Sequence, residues 1–218
     1  MSSDTIAAIA TPVGIGGIGV VRISGVDAFT VADKIFVSAD KTKLVDCDSH
    51  TLHYGHIIDL SDGAVVDEVM VAIMHAPRTF TAENTVEIST HGSPLILQKV
   101  LLLALEAGAR MAQAGEFTKR AFLNGRIDLS RAEAVIDVIH ADSDMSLKNA
   151  LNQLDGGLMY EIEKIRGPLL YASAQFAAAV DYPDDEIADL SEESLSKTLT
   201  DAINMCGELI MQEKLSDE

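Results

Sequence analysis

Two charged residues stand in short strand-like segments, where their side chains could bind a ligand. Arg22 lies in Gly-Val-Val-Arg-Ile-Ser at 19–24, and Glu87 lies in Thr-Val-Glu-Ile-Ser at 85–89. An arginine in an apolar strand needs an anionic partner, either a protein carboxylate or a ligand carboxylate. Glu87 is either a solvent-facing strand residue or a pocket carboxylate that accepts paired N–H donors from a heterocycle. Both residues are therefore candidates for a ligand site.

The densest basic group in this acidic chain follows Gly115. It comprises Lys119, Arg120, Arg126 and Arg131. The group is either the solvated edge of a helix or a set of cations that binds an anion. The residue types alone leave both interpretations open.

The glycine-rich stretch at 14–19 has the spacing of two nucleotide-binding loops but not their context. A dinucleotide-binding loop is followed by a helix whose N-terminus faces the pyrophosphate, whereas Val20 to Ile23 are strand-like. A P-loop has Lys and Ser or Thr where Val20 and Val21 stand. We therefore expect no direct nucleotide binding here. The stretch is either a tight loop between two strands or a loop that a flat ligand approaches closely.

Two histidine patterns predict neither a metal site nor nucleophilic catalysis. His50, His53 and His56 are spaced three apart, so in a strand successive side chains point to opposite faces and cannot converge on one ion. His91 stands two residues before Ser93, but the sequence positions no acid to orient the imidazole. Ser93 is expected to cap the helix that follows it.

The elements that position these residues alternate between strands and helices in the first half of the chain. Strands are predicted at 5–10, 19–24, 52–60, 65–74 and 85–90, and helices at 27–36, 94–106 and 116–124. The turn at 61–64 predicts a hairpin between its flanking strands. These patterns indicate a mixed sheet with helices.

The second half of the chain is predicted to be helical. Ser130 to Glu133 forms a capping box that opens a long, alanine-rich pattern to about residue 180. Tyr182-Pro183 ends this pattern, and a further helix is predicted at 192–214. The sequence therefore predicts an α+β fold, with a mixed-sheet domain at 1–118 and an all-α segment at 119–218.

Composition places the chain among globular proteins of a reducing compartment. Hydrophobic residues make up 48 % of its 218 residues and the net charge is -18. No apolar run approaches the roughly 20 residues that span a bilayer, so no membrane association is expected. Cys47 and Cys206 are lone thiols, which favour the cytoplasm. The negative charge argues against broad electrostatic binding of nucleic acid by this chain.

Several longer strings resemble one known family. GEFTKRAFLNGR at 115–126 and DLSRAEA at 128–134 are similar to the signature of the tRNA modification GTPases of the MnmE (TrmE) type. Four further strings resemble other segments of that family's sequence. They are DTIAAIATPVGIGGIGVVRISG at 4–25, LHYGHIID at 52–59, DEVMVAIMHAPRTFTAENTVEISTHGSP at 67–94 and VDYPDDEI at 180–187. The resemblance covers nearly the whole chain in the same order.

The resemblance implies a function that composition and spacing do not supply. The N-terminal domain would resemble folate-binding domains of the aminomethyltransferase type, bind 5-formyltetrahydrofolate or a related tetrahydrofolate, and form a homodimer. Arg22 would contact the folate, Glu87 the pterin ring, and Arg126 a polar or anionic part of the ligand. Two positions depart from the family pattern, because Arg126 replaces a lysine and Ile15 replaces a basic residue of the glycine loop.

The resemblance also implies an activity and partners for the parent protein. Family members modify carbon 5 of the wobble uridine, position 34 of certain tRNAs, together with the flavoprotein MnmG. Their G domain uses GTP with K⁺ and Mg²⁺, and this chain contains no G-x-x-x-x-G-K-[ST]. We therefore expect no catalytic residue and no GTP hydrolysis in the chain itself. Two alternatives stay open: a free-standing folate-dependent one-carbon transferase and a non-catalytic dimerisation scaffold.

Overall fold

The computed structural model describes residues 4–181 and 191–216, with side chains described to residue 211. The chain divides into two compact units between Asp128 and Leu129. This division lies ten residues beyond the predicted boundary at 118, because the helix at 116–123 is bonded to the sheet unit. The fold class is α+β, with a mixed sheet in the first unit and helices in the second.

The first unit is a seven-stranded sheet with three helices. Its strands are β1 Ile6–Ile9, β2 Ile18–Ser24, β3 Phe36–Ser38, β4 Thr51–Ile58, β5 Val65–Met74, β6 Thr85–His91 and β7 Arg110–Met111. Its helices are α1 Ala28–Ile35, α2 Pro94–Glu106 and α3 Glu116–Leu123. The strand order is β3-β4-β5-β6-β2-β1-β7, and only the pairing of β1 with β7 is parallel.

One face of the sheet carries the hydrophobic core beneath α1 and α2. Val21 and Ile23 of β2 and Ile88 of β6 are fully buried and belong to this core. Because side chains alternate along a strand, the residues between them point to the opposite face. Arg22 and Glu87 occupy such positions, so the core does not bury their charges.

The second unit consists of four helices among the residues described. They are α4 Leu129–His140, α5 Asp144–Leu154, α6 Gly157–Asp181 and α7 Glu192–Ser216. The long predicted helix is broken after His140, where Ser143 and Ser146 form a capping box that opens α5. A second break lies at Gly156, whose φ of +93° is a left-handed conformation that favours glycine.

Two predictions at the ends of the helical pattern have different outcomes. The capping box proposed at Ser130 to Glu133 does not open a helix, because α4 already begins at Leu129. The helix end predicted at Tyr182-Pro183 lies outside the described residues. Within the described part of the chain, no helix is both long enough and apolar enough to cross a bilayer.

Candidate functional site

Arg22 and Glu87 lie directly opposite each other on the neighbouring antiparallel strands β2 and β6. The Arg22 Nε donates to Glu87 Oε1 at 2.7 Å, and Arg22 Nη2 lies 2.7 Å from the same oxygen. About 30 % of each side chain is exposed, 28 % for Arg22 and 30 % for Glu87. The two candidate residues therefore form one ion pair on the open face of the sheet.

The pairing leaves one carboxylate oxygen of Glu87 available. Both contacts from Arg22 converge on Oε1, whereas Oε2 has no hydrogen-bond partner among the described residues. A carboxylate oxygen can accept up to two hydrogen bonds. A ligand with N–H donors can therefore bind Oε2 without breaking the ion pair.

Two phenylalanine rings flank the guanidinium of Arg22. The Arg22 Cζ lies 5.4 Å from the ring centroid of Phe117 and 6.0 Å from that of Phe80, within the range of cation–π attraction. Phe117 belongs to α3, and Phe80 belongs to the loop between β5 and β6. Neither ring was recognised from the sequence, because both contacts join residues far apart in the chain.

A buried arginine fastens α3 to the sheet unit. Only 4 % of the Arg120 side chain is exposed. Its Nη1 donates to the carbonyl oxygen of Asp4 at 2.9 Å and to Glu83 Oε1 at 3.2 Å. Its Nη2 donates to Asp4 Oδ1 at 2.8 Å and to Glu116 Oε1 at 3.2 Å. We call Arg120 with these three acids the Arg120 cluster.

The Arg120 cluster extends to the strand that carries Arg22 and to the end of the chain's third helix. Ser24, two residues after Arg22 in β2, donates to Glu83 Oε2 at 2.9 Å. Asn124 follows α3 and donates through Nδ2 to the carbonyl oxygen of Thr81 at 2.7 Å. The loop of Phe80 and the helix of Phe117 are thus held to each other and to β2.

Arg110 adds a second cation to this region. It donates to Asp4 Oδ2 at 2.7 Å and, through Nη2, to Glu116 Oε1 at 2.6 Å. The hydrogen bond from Arg110 is the largest cause that lowers the pKa of Glu116 to about 2. Glu116 is therefore ionised throughout the physiological range, and it joins both arginines.

The predicted basic group does not form one surface. Arg120 is buried, which corrects its interpretation as part of a solvated edge or an anion site. Arg131 lies in the helical unit and donates to the carbonyl oxygen of Asp155 at 2.7 Å. Lys119 and Arg126 are exposed. Arg22 and Glu87 contact each other, and among the described residues Arg126 forms no hydrogen bond or ion pair with either of them.

His91 has the acid partner that sequence reasoning missed. The buried carboxylate of Asp67 accepts from the His91 main-chain N–H at 2.8 Å and from Nδ1 at 2.7 Å. This hydrogen bond is the largest cause that raises the pKa of His91. Ser93 lies at the N-cap of α2, but its side chain makes no capping hydrogen bond. The His91–Asp67 contact joins positions 24 residues apart, so no local pattern indicated it.

The remaining histidine and glycine patterns have ordinary structural partners. His53 and His56 lie in β4, and His50 precedes the strand with a positive φ of 64°. Within residues 4–181 and 191–216, no group of three or more potential ligands is arranged to hold a metal ion. The glycine-rich stretch connects β1 and β2 and is bonded to Gly92, since Gly16 N–H donates to its carbonyl oxygen at 2.9 Å.

Comparison with known families assigns both units of this chain. A family model described as the N-terminus of the GTP-binding protein TrmE matches residues 5–126. A model of the MnmE helical domain matches residues 129–216. This chain belongs to the MnmE family. The two matched regions meet where the structure divides the chain, and all three candidate site residues fall within the first.

Relatives named tRNA modification GTPase MnmE match most of the chain. The relative from Lachnoclostridium phytofermentans is 49 % identical over 211 residues, which cover 96 % of this chain and 46 % of the relative. The relative from Streptococcus pneumoniae is 53 % identical over 181 residues, which cover 83 % of this chain and 39 % of the relative. The relative from Bacillus subtilis is 48 % identical over 198 residues, which cover 90 % of this chain and 43 % of the relative. The chain therefore spans less than half the length of these MnmE relatives.

Proposed function

We propose that this chain is the N-terminal part of a tRNA wobble-uridine modification GTPase, in which it binds a reduced folate and mediates homodimerisation. The proposal rests on the family and on the relatives, which are named tRNA modification GTPases. The single observation that carries the ligand site is the free Oε2 of Glu87 beside the Arg22–Glu87 ion pair. GTP, with K⁺ and Mg²⁺, would be used by the part of the parent protein that the longer relatives contain.

The residues of the open sheet face fit a tetrahydrofolate. The pterin ring presents N–H donors, one of which can donate to the free carboxylate oxygen of Glu87. The outer nitrogen Nη1 of Arg22 has no hydrogen-bond partner among the described residues and can donate to a polar group of the ligand. Arg126 is exposed, so its guanidinium is available to the anionic part of the folate. When bound, the folate supplies the one-carbon unit, and the protein positions and shields it.

The same face of the sheet carries apolar side chains that fit a dimer interface. Leu52, Tyr54 and Met70 are exposed, and their register in β4 and β5 places them on the side of Arg22 and Glu87. Contiguous apolar surface of this kind favours association with another protein surface. We propose a second copy of the chain as that partner. We propose tRNA and the flavoprotein MnmG as further partners of the parent protein. We also propose that the parent protein lies in the cytoplasm.

The proposal is tested by calorimetry with 5-formyltetrahydrofolate. Wild type is expected to bind, and Glu87→Gln is expected to bind about tenfold or more weakly because a charged acceptor is lost. Arg22→Ala should also weaken binding. Glu106→Gln and Lys99→Ala, which change exposed charges on α2, are the matched controls and should bind as wild type does.

Three results would separate the alternatives. Equal binding by wild type, Glu87→Gln and Arg22→Ala would remove the site assignment. Absence of binding by a folded protein that light scattering identifies as a dimer would favour a scaffold. Turnover of a folate with an amine acceptor, without tRNA or MnmG, would favour a free-standing transferase, although the match of residues 129–216 to the MnmE helical domain argues against it.

A further inference from the structure

The rings of Phe80 and Phe117 lie beside the proposed ligand site without being fully buried. Phe80 is 38 % exposed, and Phe117 is half-buried. A phenylalanine that serves only the core buries its ring, as Phe29 does at 5 % exposure. Both rings instead contact the guanidinium of Arg22, which is itself paired with Glu87. Aromatic surface is thus available next to a free hydrogen-bond acceptor.

The elements that carry the two rings are fixed before any ligand arrives. The Arg120 cluster joins α3, which carries Phe117, to Glu83 in the loop that carries Phe80. The hydrogen bond from Asn124 to the Thr81 carbonyl oxygen holds the same loop a second time. Rings that are already positioned lose little conformational entropy on binding, so their contact with a ligand contributes more to affinity.

We propose that Phe80 and Phe117 select a planar heteroaromatic ring at this site. Each phenyl group packs against the ring while Oε2 of Glu87 accepts a hydrogen bond from an N–H of that ring, so shape and hydrogen bonding are recognised together. This inference rests on the proposed function, since the heteroaromatic ring in question is the planar pyrimidinone ring of the pterin in a reduced folate. It assigns the ring selectivity of the site to two residues outside the ion pair.

The chain offers a direct optical test because it contains no tryptophan. Phe117→Trp introduces a single fluorophore at the proposed contact. Phe122→Trp is the matched control, because Phe122 lies in the same helix, is 40 % exposed, and, unlike Phe117, is not in cation–π contact with Arg22. Titration with 5-formyltetrahydrofolate should quench the emission of Phe117→Trp in a saturable way and should not do so in Phe122→Trp.

Affinity measurements on leucine variants complete the test. Phe80→Leu and Phe117→Leu should each weaken binding of 5-formyltetrahydrofolate about threefold to tenfold, the loss expected for one aromatic contact. Binding of p-aminobenzoylglutamate, which lacks the pterin, should not change. If the leucine variants bind folate as wild type does, or if both tryptophan variants are quenched equally, the inference is overturned while the folate site stands. If wild type binds no folate, the proposed function fails and the inference fails with it.

Discussion

The carboxylate of Asp67 decides how the imidazole of His91 behaves. Only 7 % of the Asp67 side chain is exposed, whereas 69 % of the His91 side chain is exposed. Because the carboxylate accepts from Nδ1, it stabilises the protonated ring and raises the pKa of His91 above 6.5. The stabilisation from this pair is therefore complete below about pH 6.5 and is lost as the pH rises through the raised pKa.

Substitution of Asp67 should return His91 to ordinary behaviour. In Asp67→Asn, we expect the pKa of His91 to fall toward 6.5, because the amide keeps an acceptor but removes the charge. Titration of the imidazole by NMR measures this directly. Glu68→Gln is the matched control, since Glu68 also raises the pKa of His91 but only as a minor cause. A larger shift in Glu68→Gln than in Asp67→Asn would contradict this assignment.

At the scale of elements, α3 depends on one buried arginine. Replacement of Arg120 by methionine keeps much of the apolar volume but leaves Asp4, Glu83 and Glu116 without their shared cation. We expect Arg120→Met to lower the free energy of unfolding by about 3–5 kcal/mol. Urea denaturation measures the change. Lys119→Met, an exposed neighbour, should stay within about 0.5 kcal/mol of wild type, and equal effects of the two variants would contradict the role of Arg120.

The attachment of α3 should also weaken in acid. The pKa of Glu116 is lowered from 4.5 to about 2, chiefly by the hydrogen bond from Arg110. Its contribution to stability is therefore complete above pH 4.5 and is lost as the pH falls toward 2. In Glu116→Gln, the dependence of unfolding free energy on pH should flatten over this interval. Glu106→Gln is the control and should keep the pH dependence of wild type. If Glu116→Gln lost as much unfolding free energy between pH 4.5 and 2 as wild type does, the prediction would be refuted.

Elements with strong local patterns were predictable, and elements that depend on distant partners were not. The alternation in β5 and the apolar run of α2 predicted their observed bounds, Val65–Met74 and Pro94–Glu106. The strand β7 has only two residues, both exposed, and exists because Arg110 N–H donates to the carbonyl oxygen of Thr5. No periodicity can be detected in so short a segment.

In the candidate site, too, some residues could be recognised from the sequence, whereas their distant partners could not. Arg22 and Glu87 were each recognisable, because an isolated charge in a strand requires a partner. Their register, which makes them partners of each other across 65 positions of sequence, follows from the sheet alone. Arg120 was grouped with surface cations because, although Glu116 lies four residues before it in α3, its other two carboxylates, Asp4 and Glu83, come from distant segments. A single sequence contains no signal that pairs such residues.

At the scale of the whole molecule, the two units differ in how much they bury. The hydrophobic core cluster of the sheet unit lies entirely between residues 7 and 109. In the described part of the helical unit, only Ala134 and Ala150 are buried hydrophobic residues. Helices α6 and α7 instead border a groove of about 520 Å³, which is lined by Leu158, Ile162, Ile165, Arg166, Leu169, Leu170, Cys206, Leu209 and Ile210. Burial of apolar area drives cooperative folding, so we expect the sheet unit to fold independently.

This difference predicts the behaviour of two excised pieces. A piece containing residues 1–128 retains the whole core cluster and the Arg120 cluster, so it should unfold in one cooperative transition at a temperature close to the main transition of the full chain. A piece containing residues 129–218 has little buried apolar area in its described part and should lose its helical circular dichroism gradually on heating. Calorimetry and circular dichroism on both pieces provide the comparison. If residues 1–128 failed to unfold cooperatively, the sheet unit would need residues beyond 128 to be stable, although its core contains none of them.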